Sequence, residues 1–167
     1  IKEVTSGMDV IFHLAAQGHV EKALLEPHLT YDVNVQGTLN VLEAARLNRT
    51  KKIIYASSSE VYGSAQYAPM REDHPMNAPH VYGASKAAAD RMCHAYIQSY
   101  NMNVYVLRFF NIFGPRQGDG HYGAVIPIFI RRVMEGQQPI IFGDGLQSRD
   151  YTYISDAIAA YDAVFSY

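Results

Sequence analysis

Two stretches of this sequence carry side chains that a chain built only for packing does not need. In Tyr82-Gly-Ala-Ser-Lys86 a phenol and an ammonium stand four residues apart, one helical turn and therefore one face. A positive charge near a phenol favours its ionised form, so such a pair can hold and return a proton near neutral pH. The spacing alone decides little, because the chain holds 13 tyrosines and an exposed helix pair reads the same way. The second stretch is Tyr55-Ala-Ser-Ser-Ser-Glu-Val-Tyr-Gly63, directly after Ile53-Ile54. It sets hydroxyls and a carboxylate at the tip of a buried strand, where turns normally use Gly, Pro or Asn. A site at the carboxyl end of a strand explains this better than a plain loop.

These groups need elements to carry them. Asp9 to Ala16 is a continuous apolar run of strand length, as in a parallel strand covered on both faces. Residues 26 to 48 place Leu29, Val33, Leu39, Leu42 and Ala45 at helical spacing, with Pro27 suited to a first turn. Lys52 to Ser58 reads as a second strand and 64 to 80 as a long proline-bearing loop. Residues 81 to 100 form an alanine-rich helix stopped by Asn101, and Asn103 to Asn111 a third strand ended by Gly114-Pro115. A glycine-rich loop (Gly118, Gly120, Gly123) leads to a helix over 124 to 135, and Pro139 to Phe142 is strand-like. Ser155 is expected to cap a last helix, with Asp156 favourable to its dipole. Strands alternating with helices predict an α/β, doubly wound parallel sheet. Ligands bind such sheets outside the carboxyl ends of the strands, which sets Ala15-Ala16, Ser57 to Glu60 and Phe109 to Asn111 on one rim.

With 167 residues, 49% of them apolar, the chain can form one globular domain. A net charge of −2 with mixed signs leaves no electrostatic footprint for nucleic acid. No apolar run is long enough for a membrane span, so a soluble, cytoplasmic protein is expected. Cys93, the single cysteine, reads as a small core residue, and the seven histidines lack metal-ligand spacing. The chain opens on Ile1 and its first residues read like the interior of a fold, so a piece of a longer polypeptide is expected.

Taken in order, the motifs resemble the extended short-chain dehydrogenase/reductase family, in particular its NAD-dependent nucleotide-sugar epimerases and dehydratases. The resemblance rests on His13-Leu-Ala-Ala16, Asn34-Val-Gln-Gly-Thr38, Ser57-Ser-Ser-Glu-Val-Tyr-Gly63 and Tyr82 with Lys86. Leu107-Arg-Phe-Phe-Asn-Ile-Phe-Gly-Pro115 and Gly143-Asp-Gly-Leu-Gln-Ser-Arg-Asp150 complete it. It implies a Rossmann-like domain over 1–167, with 115–135 and 144–167 contributing to a substrate region.

The resemblance also implies roles. Tyr82 would remove the sugar hydroxyl proton, Lys86 would hold the nicotinamide ribose and lower the Tyr82 pKa, and Ser58 would hydrogen-bond the reacting oxygen. Leu14, Ala15, Ala16, Asn34, Ala56, Ser57 and Phe109 would join Tyr82 and Lys86 around NAD. Asn111, Val125, Arg149 and Arg116 would join Ser58 on the nucleotide-diphosphate sugar. Glu60 matches the position at which the family's dehydratases have a carboxylate that acts after oxidation at C4, and the resemblance implies that role for it, whereas simple 4-epimerases often have a small neutral residue there. Blander readings stand beside these: a strand-end cap for Ser58, a solvated Glu60 or Asn34, core alanines at Ala15 and Ala16, and a surface ion pair for Arg149. The family's glycine-rich fingerprint is absent, so the resemblance implies a fragment lacking the amino-terminal half and most of the carboxyl-terminal substrate region. It further implies a homodimer through helices 26–48 and 81–100. The alternative is a non-catalytic binding or scaffold protein on the same fold, or a fragment inactive by itself.

Overall fold

The structure, a computed structural model, describes residues 1–118 and 124–167. At its centre β1 (Val10–His13), β2 (Lys52–Ser58) and β3 (Val104–Phe109) form a parallel sheet in that order. The register pairs Phe12 with Ile54 and runs from Ile53 opposite Val104 to Ser58 opposite Phe109. Apolar β-branched residues suit a strand covered on both faces, and Ile53, Ile54 and Tyr55 are each at most 1% exposed.

The crossover from β1 to β2 runs through α1 (Val20–Leu25), α2 (Pro27–Tyr31), a π-helical turn over Asp32–Gln36 and α3 (Gly37–Asn48). From β2 a 3₁₀ turn (Ser59–Val61) and a long loop lead to α4 (Val81–Tyr100), which returns to β3. Asn101 ends α4 in the left-handed conformation that asparagine tolerates. Helices α3 and α4 cover one face, where Leu42, Ala45, Ile53, Tyr55, Ala89 and Cys93 form the core. Each large apolar side chain buried there contributes roughly 1.5–3 kcal/mol. On the other face lies α6 (Ile154–Ser166), whose Tyr161 ring packs 6.1 Å from Phe12 and 5.4 Å from Phe109. Helices on both faces of a parallel sheet give the doubly wound arrangement. Among the described residues no helix is long and apolar enough to cross a membrane.

Three expectations need correction. The helix over 26–48 is broken: Glu26, held out of helical geometry by Pro27, separates α1 from α2, and the π-helical turn separates α2 from α3. Pro139 to Phe142 is no strand. A strand requires a hydrogen-bonding neighbour, and Ile140, Ile141 and Phe142 stay 47%, 63% and 80% exposed. Instead β4 (Asn111–Phe113) pairs in parallel with β5 (Tyr151–Tyr153). Because β5 runs directly into α6, Tyr153 takes the cap position and Ser155 lies inside the helix, its hydroxyl on Asp156 at 3.2 Å. Asp156 does fall in the first turn. The remaining short helix is α5 (Val125–Met134). Of the glycine-rich loop only Gly118 is described; Gly120 and Gly123 lie outside the described residues.

Candidate active site

The tip of β2 sorts its hydroxyls by the alternation of a strand. Ser57 Oγ turns inward and donates to Asp90 Oδ2 at 2.7 Å. Asp90 is fully buried on α4 and takes two further bonds from Arg108 of β3, at 2.8 and 2.9 Å. Arg108 also donates to the Tyr62 hydroxyl at 2.8 Å and to Glu72 O at 2.9 Å. This network ties β2, β3, α4 and the long loop to one another, and a buried charge held by several bonds tolerates no missing partner.

Ser58 faces the other way, into a groove of about 600 Å³ that Tyr82 also lines. Its Oγ accepts the Glu60 N–H at 3.2 Å, capping the 3₁₀ turn, so the strand-end cap is part of its role. Tyr82 is the second residue of α4. Burial pushes its phenol above the usual range, the Ser58 hydroxyl beside it pulls the other way, and the Glu60 charge adds to the rise.

Lys86 lies one turn along and is 3% exposed. Its Nζ donates to Ala56 O at 2.6 Å and sits 4.5 Å from the centre of the Tyr55 ring. Burial lowers its pKa to about 8. The expected acidification of Tyr82 by Lys86 is therefore corrected for the chain as it stands. The ammonium is turned to Ala56 and Tyr55, and desolvation governs the phenol.

The first groove is mainly apolar, with Leu14, Ala56, Phe109, Phe110 and Tyr161 beside Ser57, Ser58 and Tyr82. A second cavity of about 650 Å³ adjoins it across Phe110 and holds Glu60, His80, Asn111, Ser148, Arg149 and Asp150. Asn111 Nδ2 donates to Asp150 O at 2.9 Å, and Arg149 donates to Ser148 O at 2.8 Å. The long loop closes over this cavity at Gly63, whose φ of +68° and approach to the Asn77 carbonyl leave no room for a Cβ. Glu60 lies on the wall of the cavity, with Oε2 3.1 Å from His80 Nε2.

Other expected residues lie elsewhere. Ala15 and Ala16 are exposed just beyond β1, while Asn34 is 1% exposed and reaches neither groove. Its amide accepts from Gln17 N at 2.7 Å and donates to Gln17 O at 3.0 Å and Ser85 Oγ at 2.9 Å. The π-helical turn carries it inward, and it holds the end of β1 against α4 rather than facing a ligand. Val125 and Arg116 are not brought to either groove. Helix α5 buries none of its residues, so nothing draws Val125 in, and Arg116, at φ +68°, lines a separate hollow with Arg131. His80 is a site residue that motif reading missed. Its signal was position: it occupies the cap slot two residues before Tyr82, where a side-chain acceptor belongs.

These features have close parallels among known proteins. The chain is 39% identical over 168 residues to a UDP-N-acetyl-alpha-D-glucosaminuronate decarboxylase of Bacillus cytotoxicus, covering 95% of this chain and 50% of that protein. It is 35% identical over 163 residues to a dTDP-glucose 4,6-dehydratase of Streptomyces griseus, covering 98% and 49%. The crystal structure of UDP-glucuronic acid 4-epimerase from Bacillus cereus, in complex with UDP-glucuronic acid and NAD, superposes with a TM-score of 0.90 at 31% identity. That match takes in 99% of this chain and 52% of the epimerase. The chain thus spans about half the length of the relatives it matches. A family model described as the NAD dependent epimerase/dehydratase family matches residues 1–167. Taken with the Ser58, Tyr82 and Lys86 cluster at the sheet's carboxyl edge, that match makes the chain a member of the NAD-dependent epimerase/dehydratase family.

Proposed function

We propose that the protein is an NAD-dependent nucleotide-sugar epimerase or dehydratase, acting through transient oxidation at C4 of a UDP-, dTDP- or GDP-sugar. The observation that carries this reading is the convergence of Ser58 and Tyr82 on one groove, with Glu60, Asn111 and Arg149 in the cavity next to it.

The residues fit a nicotinamide cofactor. An ammonium has three hydrogens, and the buried Lys86 uses one on Ala56 O, so it can donate to ribose hydroxyls. Leu14, Ala56 and Phe109 offer an apolar wall for the ring, and the small, exposed Ala15 and Ala16, outside that groove, leave the end of β1 open to a ligand. When bound, NAD supplies the two-electron oxidation and a positive charge in the groove.

Tyr82 takes the proton of the sugar hydroxyl and later returns it, and Ser58 donates a hydrogen bond to the same oxygen. Desolvation holds the phenol protonated until charge enters the groove, which couples proton removal to a loaded site. Arg149 and Asn111 suit the diphosphate, Arg149 through bidentate, charge-assisted bonds. Glu60 can take the C5 proton of a 4-keto sugar in a dehydratase, and stays idle in a simple epimerase. A homodimer through the helices over 26–48 and 81–100 belongs to the same reading, supported by the exposed Leu47 and Tyr100. So does a cytoplasmic location, which suits the buried free thiol of Cys93.

The test is to incubate the intact protein with a panel of UDP-, dTDP- and GDP-sugars. Dehydration leaves a 4-keto-6-deoxy product and epimerisation leaves the epimer. Tyr82→Phe should abolish turnover while bound NAD is retained; full activity in that variant ends the reading.

A further inference from the structure

We propose that His80 is a positioning residue for Glu60. The idea rests on the dehydratase branch of the nucleotide-sugar reading, in which Glu60 acts, and deepens it. His80 closes the start of α4, and its Nδ1 accepts the Gly83 N–H at 3.1 Å. A ring nitrogen that accepts an N–H carries no hydrogen, so the imidazole hydrogen sits on Nε2. That nitrogen is 3.1 Å from Glu60 Oε2. The helix cap therefore selects the tautomer, and the tautomer selects a donor for the carboxylate. His80 also lies nearly parallel to the Tyr82 ring, 16° between planes and 6.2 Å between centres.

One imidazole thus fixes Glu60 relative to the turn that carries Tyr82. Glu60 Oε2 is engaged by His80, and among the described residues no hydrogen bond holds Oε1, which leaves it for a substrate proton in the second cavity. The contact is too exposed to be a stability device, with side chains 22% and 38% accessible, and a pair in such surroundings adds little to folding. Its effect is on direction. Gly83 adds a constraint, because a Cβ there would lie 2.8 Å from Glu60 O, so the backbone of Glu60 is also seated against α4.

Two substitutions separate positioning from capping in the NAD-loaded protein. His80→Ser keeps a side-chain acceptor for the cap and removes the N–H to Glu60. His80→Gln keeps an amide N–H that can reach Glu60 and loses the well-placed acceptor. Positioning predicts that kcat falls about 10- to 100-fold in His80→Ser with KM within about threefold. It also predicts that kcat stays within about threefold in His80→Gln, although Tm drops by a few degrees. The reverse order, or equal losses, overturns the proposal.

A readout independent of turnover is ¹⁵N NMR of the His80 ring. A hydrogen on Nε2 is expected, and one on Nδ1 overturns the proposal. Two controls keep the failures apart. Undiminished turnover in Tyr82→Phe sinks the functional reading, whereas undiminished turnover in Glu60→Gln with an inactive Tyr82→Phe sinks this inference alone.

Discussion

Lys86 Nζ donates to the carbonyl of Ala56 at 2.6 Å, joining the second turn of α4 to the tip of β2. The bond holds a cation in a site that resists charge, since burial brings the Lys86 pKa down to about 8. If the ammonium supports the chemistry at Tyr82, turnover should decline as pH rises through about 8. Lys86→Arg, which stays charged, should move that decline upward. Stability has the opposite sign: between about 8 and the ordinary lysine value of 10.5 the unfolded chain holds a proton that the folded chain has released. Wild type should therefore gain roughly 3 kcal/mol relative to Lys86→Met across that window. Urea unfolding of both proteins across the lower part of that window, beginning just below pH 8, measures it.

The orientation of Lys86 marks where sequence reasoning stops. The spacing Tyr82 to Lys86 correctly put both on one face of a helix, because helical period is local. It could not say that Ala56 O would take the ammonium, since that contact joins residues 30 apart. The same division holds across the fold. Strands β1 to β3 and helix α4 were readable from apolar runs and alanine-rich period, each a property of one segment. The pairing of Asn111–Phe113 with Tyr151–Tyr153 was not, because a strand of three residues exists only through its distant partner. Nor was the π-helical turn that brings Asn34 to Gln17 and Ser85. Val125 and Arg116 fell outside the site for a related reason: their motif identity carries no information on whether α5, or the turn that holds Arg116, packs against the grooves.

His13 sets a second pH dependence. Its Nε2 lies 2.9 Å from Thr38 Oγ1, and that hydroxyl gives its hydrogen to Asn34 O at 2.6 Å. The imidazole must therefore be the donor to Thr38. Burial, helped by the charge of Lys86, lowers the His13 pKa from 6.5 to about 4. Between these values the unfolded chain binds a proton that the folded chain does not, so stability falls as pH drops from about 6.5 to 4. The loss should approach about 3 kcal/mol. His13→Gln should be less stable than wild type at neutral pH yet show a flatter decline into acid. Urea midpoints at neutral pH and at two points between about 6 and 4 test this, and equal slopes for the two proteins count against it.

Adjacent serines give the sharpest separation of structure from chemistry. Ser57 is 8% exposed and its hydroxyl belongs to Asp90, which also takes two bonds from Arg108 and has His94 Nε2 at 3.6 Å. Ser57→Ala removes one donor from a fully buried carboxylate, a loss of about 1–3 kcal/mol, and should lower Tm. Turnover at a temperature where the variant is folded should change little. Ser58 lies in a partly open groove, where its Oγ accepts the Glu60 N–H at 3.2 Å and its hydroxyl bonds the Tyr82 phenol. Ser58→Ala should therefore cost at most about 1 kcal/mol of stability, as the loss of one turn cap does. It should lower kcat by about 10²-fold through loss of the donor to the reacting oxygen and of the bond that restrains the phenol's pKa. Measuring kcat and Tm for both variants distinguishes the assignments. If Ser57→Ala carries the kinetic loss and Ser58→Ala the loss of stability, β2 is shifted by one residue and every side chain on the strand exchanges faces with it.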